Sequence, residues 1–192
     1  METLTVQAYL NETWTDIALI KYPGSEKNDW NTTQLDYLTE YAINFLDYDD
    51  FHAVSVNHPV SLFFDDHGQP GWLRFIDDII PAGASRRYWI NALDISELPV
   101  GQQNFLLLKF GTMSPVGNLR IKESVPEWNK FASTKTFTVA DVIDRAADFL
   151  DYAQERGAAA GGATGAGGEA PKLLLRCSRS EEHTSELQSL SR

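Results

Sequence analysis

The sequence predicts an α+β fold, because strand-like and helix-like segments share its first 125 residues. Leu4 to Leu10 and Trp14 to Ile20 alternate apolar and polar residues on either side of Asn11-Glu12. That pattern predicts a β-hairpin. Between residues 73 and 110, apolar residues recur three or four positions apart, as on one face of a helix. We therefore expect a subdomain of antiparallel strands and helices at residues 1–125.

After the hairpin, residues 22–33 are rich in Gly, Ser, Asn and Asp and predict a loop. A short helix is expected at Glu40 to Leu46, with three apolar residues on one side: Tyr41, Phe45 and Leu46. Ala53 to Val56 predict a further strand, which the turn residues Asn57-His58-Pro59 would end.

Three helical segments follow in close succession. The first has apolar residues at helical spacing and stops at Pro81, which lacks the backbone donor; these residues are Leu73, Ile76, Ile79 and Ile80. Ser85 is the predicted cap of the second, whose apolar residues are Tyr88, Trp89, Ala92 and Leu93. The third runs from Gln102 to Phe110 and ends at Gly111.

Towards the C-terminus, Gly117 to Ile121 predict a turn that enters a strand, and residues 127–136 predict a connector. Thr138 would then open an amphipathic helix that ends at Gly157. Its apolar face would comprise Val142, Ile143, Ala146, Phe149, Leu150 and Ala153.

Composition narrows the possible functions. The formal net charge of −11 argues against direct contact with a nucleic-acid backbone, which requires clustered Lys and Arg. A single cysteine, Cys177, excludes a disulfide framework. No apolar run approaches the ~20 residues of a membrane span, and no secretory signal precedes the hairpin. We expect a cytoplasmic protein without a membrane partner.

The segment from Gly157 to Leu175 has the composition of a phosphate-binding loop. Its six glycines would together cost roughly 6 kcal/mol inside a helix, so the helix must end before them. Backbone N–H groups without bulky side chains wrap phosphate oxygens, and Lys172 adds a positive charge.

Several interpretations of this glycine-rich segment compete. A Walker A loop fails, because Pro171 precedes Lys172 and Leu173 follows it. Residues 165–170 match the loose GxGxxG/A pattern, but a dinucleotide site requires strand, loop and helix in that order. A kinase-type glycine loop precedes a strand and suits the order here. A plain flexible linker is the remaining alternative.

Three segments together resemble the HipA family, the serine/threonine kinase toxins of type II toxin–antitoxin systems. They are FIDDIIPAG followed by Arg86-Arg87, then PVGNLR at 115–120, then GEAPK at 168–172. The resemblance runs in order from about Leu4 to Leu175. It implies an N-terminal α+β subdomain at 1–125. Residues 126–176 would then hold a connector, a helix and the glycine loop that opens a kinase-like core.

The resemblance also implies function. Family members transfer phosphate from ATP, with Mg²⁺, to a protein hydroxyl, and the best-known target is an aminoacyl-tRNA synthetase. A helix-turn-helix antitoxin is the usual partner and supplies DNA binding. The residues that resemble the nucleotide-binding loop are Thr164, Gly165, Gly167, Gly168 and Lys172. Thr164 is the hydroxyl nearest to the serine that some members phosphorylate in this loop.

Other kinase parts are missing from the sequence. It contains no His-x-Asp with a downstream Asn, so no catalytic residue and no metal ligand is assigned. Four histidines, His52, His58, His67 and His183, also lack a metal-binding spacing. We expect these 192 residues to be inactive as a kinase. The alternative is a non-enzymatic module that binds an antitoxin or a second copy.

The last residues, 177–192, are predicted to have a different origin from the rest of the chain. Residues 179–189 resemble the in-frame translation of a common sequencing-library adapter across eleven consecutive positions. We therefore expect a non-native tail and exclude it from the interpretation of the fold.

Overall fold

A computed structural model describes residues 1–22, 30–62, 71–112 and 115–125, together with the backbone of three short strands further along. Its first four strands are β1 (Glu2–Leu10), β2 (Thr13–Tyr22), β3 (Gln34–Tyr37) and β4 (Leu119–Ile121). They form one antiparallel sheet in the order β3-β2-β1-β4. The helices are α1 (Thr39–Asn44), α2 (Gly83–Ala92) and α3 (Val100–Gly111). Two 3-10 helices span Arg74–Asp78 and Lys122–Ser124. The predicted α+β fold is confirmed.

The β1–β2 hairpin has a two-residue loop, as its alternation predicted. Asn11 and Glu12 both have positive φ, at 47° and 64°, which is the signature of a type I′ turn. Val6 pairs with Ala18 whereas Gln7 pairs with Asp16, so Ile17 forms a bulge in β2. The carbonyl of Ile17 accepts a hydrogen bond from Leu38 N at 2.9 Å, just before α1 begins. The bulge thus helps to position α1.

The sheet buries one face against the helices. From β1, Leu4, Val6, Ala8 and Leu10 point into the core, and Ile121 of β4 pairs with Val6 on the same side. The 3-10 helix at Arg74–Asp78 and α3 cover this face with side chains that are almost fully buried: Ile76, Leu107 and Leu108. One contiguous core therefore serves residues 1–125.

Polar contacts fix the segments between these elements. Thr33 N and Gly71 O lie 2.9 Å apart, and the Thr33 hydroxyl accepts a hydrogen bond from Leu73 N at 3.0 Å. The Thr112 hydroxyl donates to Leu108 O at 3.0 Å and accepts from Ile121 N at 3.3 Å. Both threonines are buried: Thr33 joins the residues before β3 to those before the first 3-10 helix, and Thr112 joins the end of α3 to β4.

Several predictions about individual elements need correction. Ala53 to Val56 form no strand; Ala53 and Val54 are buried in a turn that closes with a bridge between Ser55 and His58. The segment before Pro81 forms a five-residue 3-10 helix and not an α-helix. Ser85 does not cap α2, which begins at Gly83 with Ala82 in the cap position and no side-chain cap.

The predicted apolar faces were also partly wrong. Leu46 lies beyond the end of α1 and is 45% exposed, and Ala92 at the end of α2 is exposed too. Of the expected apolar residues of α2, Trp89 is buried, whereas Tyr88 and Leu93 are half-buried. Short helices bury one or two residues each, so spacing alone overstated their apolar faces.

Three further strands form a second antiparallel sheet in the order β5-β7-β6. They are β5 (Thr136–Thr138), β6 (Leu175–Arg179) and β7 (Ser185–Ser189). Thr138 is the last residue of β5, and the predicted helix beyond it lies outside the described residues. The predicted connector, residues 127–136, also lies outside them except for Thr136, which begins β5. The tail segment contributes Cys177, Ser178 and Arg179 to β6 and all of β7; its proposed non-native origin stays a prediction.

Candidate functional site

The predicted nucleotide-binding loop lies outside the described residues. This applies to all five of its residues: Thr164, Gly165, Gly167, Gly168 and Lys172. Lys172 is followed after two residues by strand β6, which starts at Leu175. The role of the loop in holding ATP and Mg²⁺ therefore stays a prediction.

A second site, which the sequence did not indicate, lies on the outer face of the four-stranded sheet. A cavity of about 850 Å³ opens there between the sheet and α1. Its floor comes from β1 and β2, through Gln7, Trp14 and Asp16, and its wall comes from Leu38 to Phe45. The β1–β2 pairing places Gln7 opposite Asp16, and β4 places Arg120 on the other side of Gln7. The sheet register therefore brings these polar groups together.

A chain of hydrogen bonds runs across this face. Arg120 Nε donates to Gln7 Oε1 at 2.8 Å, and Gln7 Nε2 donates to Asp16 Oδ1 at 2.7 Å. Lys122 Nζ donates to the other carboxylate oxygen of Asp16 at 2.5 Å. Gln7 and Arg120 are buried, and their partners satisfy them.

Arg120 and Asp16, two members of this hydrogen-bond network, have pKa values that are lowered for different reasons. Burial lowers the pKa of Arg120 to about 10, although the negative charge of Asp16 opposes the shift. Arg120 therefore keeps its charge at neutral pH. Burial raises the pKa of Asp16, but hydrogen bonds from Lys122 and Gln7 outweigh it, so the pKa lies below that of an ordinary aspartate.

The chemistry of these groups fits binding or structure rather than catalysis. Each carboxylate oxygen of Asp16 accepts a hydrogen bond, and Arg120 and Lys122 are both paired. Within the described part of the chain, no three or more His, Cys, Asp or Glu residues come together in a way that would hold a metal ion. The cavity does present aromatic surface, from Trp14, Tyr41 and Phe45.

Two histidines that sequence analysis considered for metal binding have other partners. His52 Nδ1 lies 2.8 Å from Asp50 Oδ1, and its ring stacks on Phe45 at a centroid distance of 4.3 Å. The carbonyl of His58 accepts a hydrogen bond from the Tyr37 hydroxyl at 2.6 Å. Both histidines are half-buried. His67 and His183 lie outside the described residues.

Sequence reasoning missed the outer-face site because its members are far apart along the chain. Gln7 and Arg120 are 113 positions apart, and Lys122 and Asp16 are 106 apart. One signal was available. Polar residues alternate with apolar ones in β1 and β2, which indicates that each strand has a polar outer face, but the alternation does not show which residues of β4 contact that face.

Comparisons of the chain with protein-family models, with curated proteins and with solved structures gave no match. Across the described residues, no helix combines the length and apolar character that a bilayer crossing requires.

Proposed function

We propose that residues 1–125 are the N-terminal domain of a HipA-like serine/threonine kinase toxin. The whole protein would transfer the γ-phosphoryl group of MgATP to a hydroxyl group of a protein. The observation that carries this proposal is that two of the resembling segments meet in one core. From the first segment, four residues are buried: Phe75, Ile76, Ile79 and Ile80. The second leads into β4, which pairs with β1. That the two segments share one core supports the single N-terminal domain that the resemblance implies.

The domain itself would supply no catalytic group. The sequence has no His-x-Asp motif, and the charged groups of the outer-face site are already paired. In phosphoryl transfer most of the catalysis comes from positioning and charge stabilisation around the nucleotide. The loop from Thr164 to Lys172 would contribute to that positioning, and further residues of the parent protein would provide the base and metal ligands.

The test compares this chain with the product of the uninterrupted reading frame from the source genome. Each protein is incubated with radiolabelled ATP, Mg²⁺ and an aminoacyl-tRNA synthetase as candidate substrate. We expect phosphate transfer by the uninterrupted product and none by the 192-residue chain. A reading frame without a His-x-Asp motif and a metal-binding Asp would refute the proposal, as would ATP-dependent transfer by this chain alone.

A second candidate function is a non-enzymatic interaction module, favoured by large apolar side chains at the surface. Ile43 and Phe51 are 64% and 61% exposed. A helix-turn-helix antitoxin is the partner that the family resemblance implies. Co-expression with such a protein, followed by affinity purification and sizing, would give a stable complex if the module binds it. A chain that elutes alone in that experiment would count against this candidate.

A further inference from the structure

A strip of exposed apolar side chains begins on α1 and continues into the loop after it. The exposed fractions are 64% for Ile43, 45% for Leu46, 47% for Tyr48 and 61% for Phe51. We refer to these four residues as the α1 strip. Exposed apolar residues that stand alone are ordinary, whereas a concentration of them marks a candidate interaction surface, and these four fall within nine positions of the chain.

Contacts around Phe51 hold one end of the α1 strip in place. The ring of His52 lies against the rings of Phe45 and Phe51, at centroid distances of 4.3 and 4.1 Å. Asp50 Oδ1 accepts a hydrogen bond from His52 N at 2.9 Å and contacts His52 Nδ1 at 2.8 Å. Preordered apolar groups lose little conformational entropy when a partner binds.

Negative charge surrounds the strip. Its flanking residues include four exposed acids: Glu40, Asp47, Asp49 and Asp50. Residues 30–62 contain no lysine and no arginine at all. A partner with basic side chains around an apolar face would complement both the charge and the apolar surface.

Residues next to the strip in the chain line the outer-face cavity. Glu40, Asn44 and Phe45 line the wall of that cavity, which has a volume of about 850 Å³. Lys122, the basic residue that lines it, is ion-paired with Asp16 at 2.5 Å. Apolar side chains of a partner would therefore find a recess beside the strip, and its basic side chains would find acids at the rim.

Two occupants from this chain itself are poor complements in charge. Residues 139–156 carry five acidic residues (Asp141, Asp144, Asp148, Asp151 and Glu155) against two arginines (Arg145 and Arg156). A second copy of the chain brings a net charge of −11. We propose that the α1 strip docks a basic amphipathic segment of a partner protein. This inference gives a site to the interaction-module function and does not depend on kinase activity.

The experiment titrates the 192-residue chain into a fluorescently labelled amphipathic peptide of Leu and Lys, about 15 residues long so that it can form a helix. A peptide in which Glu replaces every Lys serves as the charge control. We expect anisotropy to show saturable binding of the Leu/Lys peptide that weakens as salt rises. Leu46→Ser with Phe51→Ser should weaken it at least about tenfold, and Asp47→Asn with Asp49→Asn should weaken it and reduce its salt dependence.

Matched control variants lie on other surfaces. Val100→Ser with Phe110→Ser removes exposed apolar groups from α3, and Asp77→Asn with Asp78→Asn removes exposed charges. Equal losses in strip and control variants would overturn the proposal, as would equal binding of the Leu/Glu peptide or no binding at all. A dimer of the chain that Phe51→Ser abolishes would also overturn it, in favour of a second copy. Failure here leaves phosphate transfer by the uninterrupted protein unaffected, so the two proposals fail separately.

Discussion

The guanidinium of Arg120 lies 4.0 Å from the centroid of the Trp14 ring while its Nε donates to Gln7 Oε1 at 2.8 Å. This one side chain therefore joins β4 to β1 by a hydrogen bond and to β2 by a cation–π contact. Arg120 is buried on the outer face of the sheet, where a missing partner would be costly.

Replacing Arg120 tests this relationship. Arg120→Ala leaves Gln7 Oε1 buried without its donor and removes the contact with Trp14, so we expect a loss of about 2–3 kcal/mol in the free energy of unfolding. Arg120→Lys should recover only part, because an ammonium group lacks the planar face of the guanidinium. Urea unfolding followed by Trp fluorescence measures both. Arg74→Ala is the control, since the Arg74 side chain is 88% exposed; a loss as large as that of Arg120→Ala would contradict the prediction.

Asp16→Asn should make stability less dependent on acidic pH. The pKa of Asp16 in the fold lies below its ordinary value of about 3.9, so its carboxylate stabilises the fold above that pH. This contribution is lost as pH falls through the lowered pKa. We expect Asp16→Asn to cost up to about 1 kcal/mol at pH 7, with the difference shrinking as pH falls below about 4 and vanishing only below the lowered pKa of Asp16. Thermal unfolding at several pH values measures it, with the exposed Glu97→Gln as control. A difference that is constant with pH would be the contrary result.

Gly101→Ala should destabilise the fold despite the higher helix propensity of alanine. A Cβ at Gly101 in α3 would lie 2.7 Å from Asn31 Oδ1 and 2.9 Å from Trp30 Cβ. The backbone of Trp30 is only 3.1 Å away, so the loop would have to shift. We expect a net loss of about 1–3 kcal/mol in unfolding free energy. Gly117→Ala is the matched control, because a Cβ there meets nothing within 4 Å. Equal effects of the two substitutions would show that packing is not the cause.

Two tyrosine hydroxyls should behave in opposite ways when they are removed. The Tyr37 hydroxyl donates to His58 O at 2.6 Å and accepts from the buried Val54 N at 2.9 Å. Tyr37→Phe strands both groups, and we expect a loss of about 1–3 kcal/mol. Among the described residues, the buried Tyr22 hydroxyl has no hydrogen-bond partner, so Tyr22→Phe should be neutral or stabilising. Chemical denaturation measures the free energy of unfolding of both variants. A clear loss of stability in Tyr22→Phe would contradict this prediction.

The type I′ turn contains a residue that fits it poorly. Glu12 has a φ of 64°, a conformation that costs a non-glycine residue about 1–2 kcal/mol. Glu12→Gly should therefore raise the unfolding free energy by about 1 kcal/mol, whereas Asn11→Gly should change it less, because asparagine tolerates this region. The midpoint of thermal unfolding measures both changes. A lower midpoint for Glu12→Gly would mean that the side chain of Glu12 stabilises the hairpin.

Elements with local causes were predictable. The hairpin follows from alternation around two turn residues, α3 from apolar spacing that ends at Gly111, and β4 from the turn at Gly117-Asn118. In each case the sequence pattern and the element that it predicts involve residues that are close together in the chain. The segment Ala53 to Val56 shows where local reasoning fails: Ala53 and Val54 are buried, but Val54 N donates a hydrogen bond to the Tyr37 hydroxyl instead of pairing in a strand.

The sequence by itself determined the fold class, the hairpin with its turn at Asn11-Glu12 and the acidic balance of the chain, because each depends on residue type and short-range spacing. Only the tertiary structure decided that Gln7, Asp16, Arg120 and Lys122 form one network and that Ile43 and Phe51 stay exposed. Those outcomes depend on which strands become neighbours across more than 100 positions of chain. Pairing at that distance is set by burial of the whole core, which no local pattern records.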